Sequence, residues 1–577
     1  MVPIFLGLAL WYPAVLGWGF PFSKMIGEYD PDDRPLYAAL GGMAILAAVV
    51  NGLSFFWPIY SGVALLFLGI GWVAFIVAQW RWQWWPRLSI KGLFFIGVLL
   101  ANISVVAAQS PLNYETGLYH LQSVKWLTTS TVPFGLANLL GQFGFNSAWF
   151  SFAAALEVPW LQGQSVFLAN SLMLLVFGVA VGQAAAKFWV PHQVRLAHTF
   201  LLICVLPWVN AMMGINVNSL SADLPITFLT LLMSYLLIKA LQNLETVWAA
   251  LPGLAFIAAF AIAVKLSAAP LSLFAISLVG LVIYHRPAFI SKQMGVRCGQ
   301  FVLVSCSLLL IPWLLRNVAL SGCLVYPVAV TCSPKLAWGL PMAAVERDIA
   351  FVQSWARRDW SEADRVSSNW VGVIHQVTPN TLFVLGVVGC VAGAMYWIAK
   401  RKNSRRPDTP FRYWLPVVAL LLGIGFWLAT VPDVRFGEGY FWSLGLYGFS
   451  LGLYRFYQAY ALKGFEKFIL VAGSALAIFV AFIWPLFLPV GWGADKYWIA
   501  NQPQLRLSRS QLVWQWPPIP KVRLIRHFVG GGYLYTPIIS FPCWDAPLPC
   551  APGYDPQVRV RFLDADLPRI VVEATPP

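Results

Sequence analysis

Charge is what this chain has least of. Only 11% of its 577 residues are Asp, Glu, Lys or Arg, against 59% hydrophobic, whereas soluble proteins carry about a quarter charged residues. The deficit excludes an ordinary soluble protein and points to a polytopic membrane protein. Acids are scarcer than bases, 23 against 38, for a net charge of +15. That excess is no nucleic-acid signature. The basic residues gather at the ends of apolar runs, as cytoplasmic loops and anionic headgroups require, and no basic-aromatic surface or known nucleic-acid module accompanies them. Histidine is rare too, and none of the six stands at metal-ligand spacing. There is no zinc signature, no Gly-rich phosphate cradle and no nucleophile elbow. The sequence therefore requires no cofactor, while leaving a divalent metal open. Internal repeats and low-complexity tracts are missing as well.

What is present is a series of apolar stretches of membrane-spanning length. About fourteen are expected, near 3–20, 36–56, 58–79, 92–110, 165–186, 197–213, 223–241, 247–264, 267–285, 299–315, 379–399, 413–430, 439–457 and 467–490. The first stretch lacks a basic n-region and a small-residue cleavage site, so it reads as a retained helix and not a signal peptide. Lysine and arginine set the orientation. Arg81, Arg87, Lys91, Lys187, Arg195, Arg286, Lys292, Arg297, the run "KRKNSRRPDTPFR", Arg455, Lys463 and Lys467 all fall on one side when alternate loops are counted. That side is the cytoplasm. The outer side then receives the loops 111–164 and 316–378, the turn near Asn216–Asp223, "PDVRFGEG" and the tail after about 491. The acidic loop "GEYDPDDRP" is placed inside by the same count.

Cysteine checks the orientation. Of eight, four form two close pairs, Cys323 with Cys332 and Cys543 with Cys550, and both pairs lie in segments already assigned outside. Disulfides belong in an oxidising compartment, so a disulfide is expected within each pair. The expected architecture is all-α and polytopic, with extra N-terminal helices over 1–91, a transmembrane core over 92–490 and an extracytoplasmic appendage over 491–577. The appendage alternates short apolar runs with prolines and reads as small, loop-rich and partly β.

Chemistry is expected at the outer mouth. In "NYETGLYHLQSVKWL" a helix would bring Glu115, Tyr119, Gln122 and Trp126 to one face, lying in the outer interface with Trp and Tyr at headgroup level. A carboxylate pressed between aromatics, with Tyr114, Tyr119 and His120 beside it to touch substrate, suits a general base. The alternative is that Glu115 caps the helix. Asp223, just ahead of a span, is a second candidate acid, or else part of a helix cap with Ser221. Lys265, Arg316 and Arg435 stand at outer ends of spans, where the positive-inside rule makes cations less expected. A lipid phosphate or pyrophosphate would account for them. The alternatives are snorkelling for Lys265 and pairing of Arg435 with Asp433 or Glu438.

Together "NYETGLYHLQSVKWL", "NSLSADLP", "PWLLRNVALSGCLVYP", "SWAR", "PDVRFGEG" and "CWDAPLPC" resemble a family of uncharacterised bacterial polytopic membrane proteins, over about residues 90 to 555. More coarsely, the layout is similar to the GT-C superfamily of membrane glycosyltransferases. That resemblance implies an acid in the first outer loop as base or acceptor-binding group, matched by Glu115, and a second outer acid, matched by Asp223. It implies amphipathic helices in the first outer loop and a soluble outer domain after the last span. This chain departs in having Glu where relatives of the first family usually carry Asp, and in three extra spans before the first-loop motif. The implied reaction transfers a sugar, with inversion, from a polyprenyl-phosphate carrier to an envelope glycan, lipid or protein, at a bacterial inner membrane. Two other readings stay open: an O-antigen-type polymerase or ligase, drawing on the 316–378 loop, and a transporter or flippase of lipid-linked sugars. Matched, interrupted half-repeats, the mark of a transporter, are not evident.

Overall fold

The computed structural model describes residues 1–27, 33–83, 90–161, 163–188, 195–242, 247–285, 292–333, 335–357, 413–460, 513–529, 532–538, 542–552, 558–562 and 570–574. The protein is mostly helical, and among the described residues eight helices are long and apolar enough to cross a membrane. Four of these come first: α1 (Val2–Gly27), α2 (Arg34–Leu53), α3 (Ser61–Trp82) and α4 (Ile90–Ala107). Between α4 and the next long helix lie α5 (Leu121–Thr129) and α6 (Ala148–Ala155). Then follow α7 (Leu168–Phe188), the broken pair α8 (Leu196–Ile203) and α9 (Val205–Met212), and α10 (Asp223–Gln242). After them come α11 (Val247–Val264), α12 (Ala269–His285), α13 (Lys292–Ser321), α14 (Met342–Ala356), α15 (Leu415–Ala429) and α16 (Val434–Tyr460). Two of the expected spans, 379–399 and 467–490, lie outside the described residues. The others sit within a few residues of where the apolar runs placed them, except that the run 197–213 is split at Cys204. Pro207 explains the break, since it has no N–H to give the carbonyl four residues back.

Glycine lets the first helices approach backbone to backbone. A Cβ on Gly19 would run into the Ala38 carbonyl, one on Gly42 into that of Val15, and one on Gly17 into that of Gly71. This is how apolar helices associate where burial of oily surface alone gives no advantage over lipid. Trp18 and Trp72 then donate across α1 and α3, to the Phe67 carbonyl at 2.8 Å and the Leu10 carbonyl at 3.0 Å. The deepest core runs through α7, α10 and α11, where Phe177, Phe228 and Phe260 are fully buried.

At one end of this bundle the described parts of the segments expected outside pack on each other. The Gly135 N–H donates to the Ala319 carbonyl at 2.8 Å, Asn138 to Trp338 at 2.9 Å and Asn113 to Asn216 at 2.9 Å. Both expected disulfides are formed, Cys323 bonded to Cys332 and Cys543 bonded to Cys550. The first closes the turn that leaves α13, where the Leu324 N–H donates to the Thr331 carbonyl at 3.0 Å, one residue inside Cys323 and Cys332 on each side. Cys323 is buried, while the Cys332 side is more open. The tail contributes two antiparallel hairpins, β1 (Leu524–Val529) with β2 (Gly532–Pro537), and β3 (Val558–Phe562) with β4 (Ile570–Ala574), bearing out the partly β reading. The Cys543–Cys550 loop bonds to the edge of β2, where the Tyr535 N–H donates to the Pro549 carbonyl at 3.0 Å.

One expectation is overturned. The tryptophan of α5 is not free to sit among headgroups. Trp126 is 1% exposed, packed with Val132, Leu136, Phe143, Ala319 and Leu320, because the 131–145 segment and the end of α13 fold over it.

Candidate functional site

The stretch that opens the site begins with a local cap, and Glu115 is not the cap. Asn113 Oδ1 accepts from the Thr116 N–H at 2.9 Å, and Glu115 makes no side-chain capping bond. Its carboxylate is thereby released for other partners. Thr116–His120 then forms a π-helical turn, with the Leu121 N–H reaching the Thr116 carbonyl, a local widening often found at functional sites. The extra residue in the turn breaks the register on which Glu115, Tyr119, Gln122 and Trp126 were expected to share a face. Gln122 instead donates to the Trp544 and Ala546 carbonyls at 2.8 and 3.1 Å, while Glu115 faces Arg435.

Asp223 is likewise no cap. Ser221 Oγ accepts from the Asp223 N–H at 3.2 Å, so Ser221 covers the start of α10. The Asp223 carboxylate, buried at 4% exposure, pairs with Lys265. Arg435, at the start of α16, joins the two acids. Its Nη2 lies 3.1 Å from Glu115 Oε1, its Nη1 3.6 Å from Asp223 Oδ2, and its Nε 3.2 Å from Asp433 Oδ1. The guanidinium carbon sits 4.8 Å from the Trp355 ring and 5.4 Å from the Phe436 ring, and the Lys265 ammonium lies 3.8 Å from the same Phe436 ring. Four candidates named from sequence, drawn from four separate segments, thus form one chain of charges: Glu115, Arg435, Asp223, Lys265. Glu438 does not pair with Arg435; it accepts from Asn210 and Trp442, both at 3.2 Å.

His120 and Tyr119 complete the wall. Burial pulls the His120 proton affinity down to about 3, so the imidazole is neutral across the physiological range. Its Nε2 stands 3.9 Å from Glu115 Oε2 and its Nδ1 3.4 Å from Thr116 Oγ1. Burial, reinforced by the Glu115 and Asp223 carboxylates, holds the Tyr119 phenol protonated well above its ordinary range. Its ring meets His120 edge-on at 4.2 Å. Tyr114 takes no part in the cluster and is exposed.

Arg316 lies to one side. It is 4% exposed, donates to Asn146 Oδ1 at 3.1 Å and leaves Nη1 without a hydrogen-bond partner among the described residues. Asn146 is anchored by Trp313, and the adjacent Ser147 donates to the Val264 carbonyl at 2.7 Å, so the Arg316 corner adjoins the Lys265 turn.

Sequence reasoning did not anticipate the part taken by the tail. Trp544, with φ of 46°, is buried against Gly117; a Cβ there would collide with its indole. The Trp544 N–H donates to the Gly117 carbonyl at 2.8 Å, and Lys125 pairs with Asp545 at 2.9 Å. The only textual hint was that Gly117 is the one residue without a side chain in "YETGLYH". Trp355 and Phe436 were also missed as cation platforms. Among the described residues no group of three or more His, Cys, Asp and Glu is disposed to hold a metal ion.

The chain belongs to the family described as Domain of unknown function (DUF8201), which matches residues 1–442. That range contains every charged residue of the cluster and stops short of the Trp544 loop. No curated protein and no solved structure matches the chain.

Proposed function

We propose that this member of the family is an integral membrane glycosyltransferase of GT-C-like design, with about fourteen spans in a bacterial inner membrane and its first large loop and C-terminus outside. It moves a sugar from a polyprenyl-phosphate carrier to an envelope glycan, lipid or protein. One observation carries the reading: an acid, a guanidinium, a second acid and an ammonium from four segments converge at one end of an apolar bundle, walled by aromatic rings. Ionisable groups at the mouth of apolar helices mark substrate sites by default.

In this reading the sugar phosphate competes with Glu115 for the Arg435 fork, since a planar guanidinium grips phosphate bidentately. Its arrival frees the Glu115 carboxylate, which takes the proton of an acceptor hydroxyl. The hydroxyl oxygen bonds to the anomeric carbon from the opposite face as the bond from that carbon to the phosphate oxygen breaks. The bonding pair leaves with the polyprenyl phosphate, whose charge Arg435 and Lys265 meet, and inversion follows. Each well-placed donor at a developing oxyanion contributes about 3–4 kcal/mol. Asp223 keeps the two cations in place, neutral His120 and Tyr119 shape the Glu115 side, and Arg316 serves the phosphate from its corner. Membrane lipid, the sugar donor and the acceptor are the partners.

The polymerase or ligase reading draws on a single contact, Trp355 of the 316–357 segment lying over Arg435. The test is lipid-resolved mass spectrometry on cells lacking the protein and on cells carrying Glu115→Gln. Build-up of one polyprenyl-phosphate sugar in both, with loss of one envelope glycan, is expected. Unchanged lipid-linked sugars in both strains would sink the transferase.

A further inference from the structure

One carboxylate beside the cluster has no assigned task. Glu438 stands one turn along α16 from Arg435, so the two share a helix face. Its Oε1 is fixed by two neutral donors, Asn210 Nδ2 and Trp442 Nε1, each at 3.2 Å. Among the described residues no lysine or arginine pairs with it, unlike Glu115, Asp223 and Asp433, each of which meets a cation. Asn210 is exposed, so this corner opens outward. On the neighbouring face of α10, Asp223 Oδ2 and Thr227 Oγ1 are buried without hydrogen-bond partners. α16 comes close to α10 here, Gly439 leaving no room for a Cβ against Thr230.

Buried polar groups short of hydrogen bonds in an apolar setting are costly; here Thr227 Oγ1 lacks one and Asp223 Oδ2 has only the Arg435 guanidinium at 3.6 Å, so a ligand beside Glu438 can satisfy them. The filler must donate to carboxylate oxygens and accept from an amide N–H and a threonine hydroxyl. At this corner it must also add no anionic charge, because Glu438 meets only the neutral donors of Asn210 and Trp442 and the cations serve the Arg435 side. A neutral polyol meets all three conditions, since every hydroxyl both donates and accepts.

We infer that Glu438, Asn210 and Trp442 form a carbohydrate subsite that holds hydroxyls of the transferred sugar one helical turn below the Arg435 phosphate site. The inference rests on the proposed transferase reading and sharpens it: Arg435 holds the carrier phosphate, and the Glu438 corner selects the sugar. Sites that hydrogen-bond a substrate hydroxyl discriminate far more strongly than apolar pockets do.

The experiment uses the full chain in lipid nanodiscs and measures binding of a short prenyl phosphate and of a panel of the same prenyl phosphate bearing neutral or amino hexoses. The wild type is expected to bind at least one neutral sugar conjugate about tenfold or more tighter than bare prenyl phosphate, a difference of about 1.4 kcal/mol. Glu438→Gln and Asn210→Ala should abolish that margin and leave bare prenyl phosphate unchanged. The exposed Asn210 variant keeps the test alive if Glu438→Gln does not fold. A margin that survives both substitutions, or no margin for any conjugate, overturns the subsite. A margin confined to amino hexoses also overturns it, making Glu438 a counter-ion. Failure of bare prenyl phosphate to bind, or binding indifferent to Arg435→Gln, would count instead against the transferase reading.

Discussion

The two ends of α10 each carry an ion pair, and they differ in kind. At the far end Lys239 meets Asp33 at 2.7 Å, with the Tyr235 hydroxyl donating to the same carboxylate at 3.0 Å. The side chains are 15% and 9% exposed. Asp33, Lys239 and Tyr235 make a pin that fastens α10 to the start of α2. At the near end Asp223 pairs with Lys265 within a cluster where Glu115, Asp223 and Asp433 share Lys265 and Arg435. Arg435 is 32% exposed and each cation lies over an aromatic face. Pins are closed, whereas sites retain capacity that a ligand can claim. The contrast separates two groups that a count of buried salt bridges would merge.

The strongest way to break the comparison is to treat the near end as another pin. If Glu115–Arg435 were only structural, Glu115→Gln would weaken the fold and do nothing specific. We expect the opposite. The variant should reach the membrane in normal amount and lose transfer by about 10²–10⁴, the usual worth of a general base, while Glu115→Asp keeps a fraction. Arg435→Lys should come next. It retains charge but not the fork, and a loss of about 10²–10³ in transfer rate is expected for one oxyanion donor. A binding measurement sharpens the pair. If Glu115 and phosphate compete for one guanidinium, as proposed, Glu115→Gln should tighten binding of a short prenyl phosphate, whereas Arg435→Lys weakens it. Weaker binding in Glu115→Gln would mean the acid and the phosphate do not compete.

How much of this was legible follows from where the charges lie. In a chain with so few ionisable groups, each one at the end of an apolar run needs a partner. That logic singled out Glu115, Asp223, Lys265 and Arg435 although Glu115 and Arg435 are 320 residues apart. The apolar runs themselves marked the helices to within a few residues. The disulfides were legible too, because Cys323 and Cys332, like Cys543 and Cys550, stand close in sequence within a single segment between or after the apolar runs. The pairing of Arg435 with Asp433, two residues apart, was legible, but the pairings of Glu115 with Arg435 and of Asp223 with Lys265 were not, because no local period links loops that meet only after folding. Nor was the π-helical turn at Thr116–His120, which breaks the 3.6-residue register. Trp126 was misplaced for a related reason. An amphipathic pattern gives a helix an apolar side, but it does not say whether lipid or the protein's own 131–145 segment covers that side.

Trp544 offers an intermediate effect, because it acts on the site through another residue. Its ring and backbone N–H hold Gly117, and the Cys543–Cys550 disulfide closes the loop that carries it. Trp544→Ala should loosen the turn that aims Glu115, lowering transfer by about tenfold, within the range that small misplacement of a reacting group produces. Amide hydrogen exchange should rise over residues 117–129 while the α7 and α10 cores stay protected. Cys543→Ser with Cys550→Ser should reproduce that exchange pattern, and Cys323→Ser with Cys332→Ser should not, since that disulfide closes a different loop. A purely surface role for the tail would leave exchange in the turn unchanged.

The far-end pin should give the smallest effect on chemistry and so completes the contrast. Asp33→Asn removes the carboxylate charge that Lys239 meets at 2.7 Å and weakens the pairing of a partly buried ammonium, at a cost of up to about 3 kcal/mol. The expected result is a lower thermal midpoint in detergent or nanodiscs, with prenyl phosphate affinity and transfer per folded molecule unchanged. Replacing both partners, Asp33→Asn with Lys239→Met, should recover part of that loss, because an apolar side chain at 239 does not need the lost carboxylate. Should Asp33→Asn instead impair transfer at full stability, the far end would no longer be a pin. α10 would then have to carry a coupling from Asp33 to Asp223 along its 20 residues, and the division between the two ends of the helix would fall.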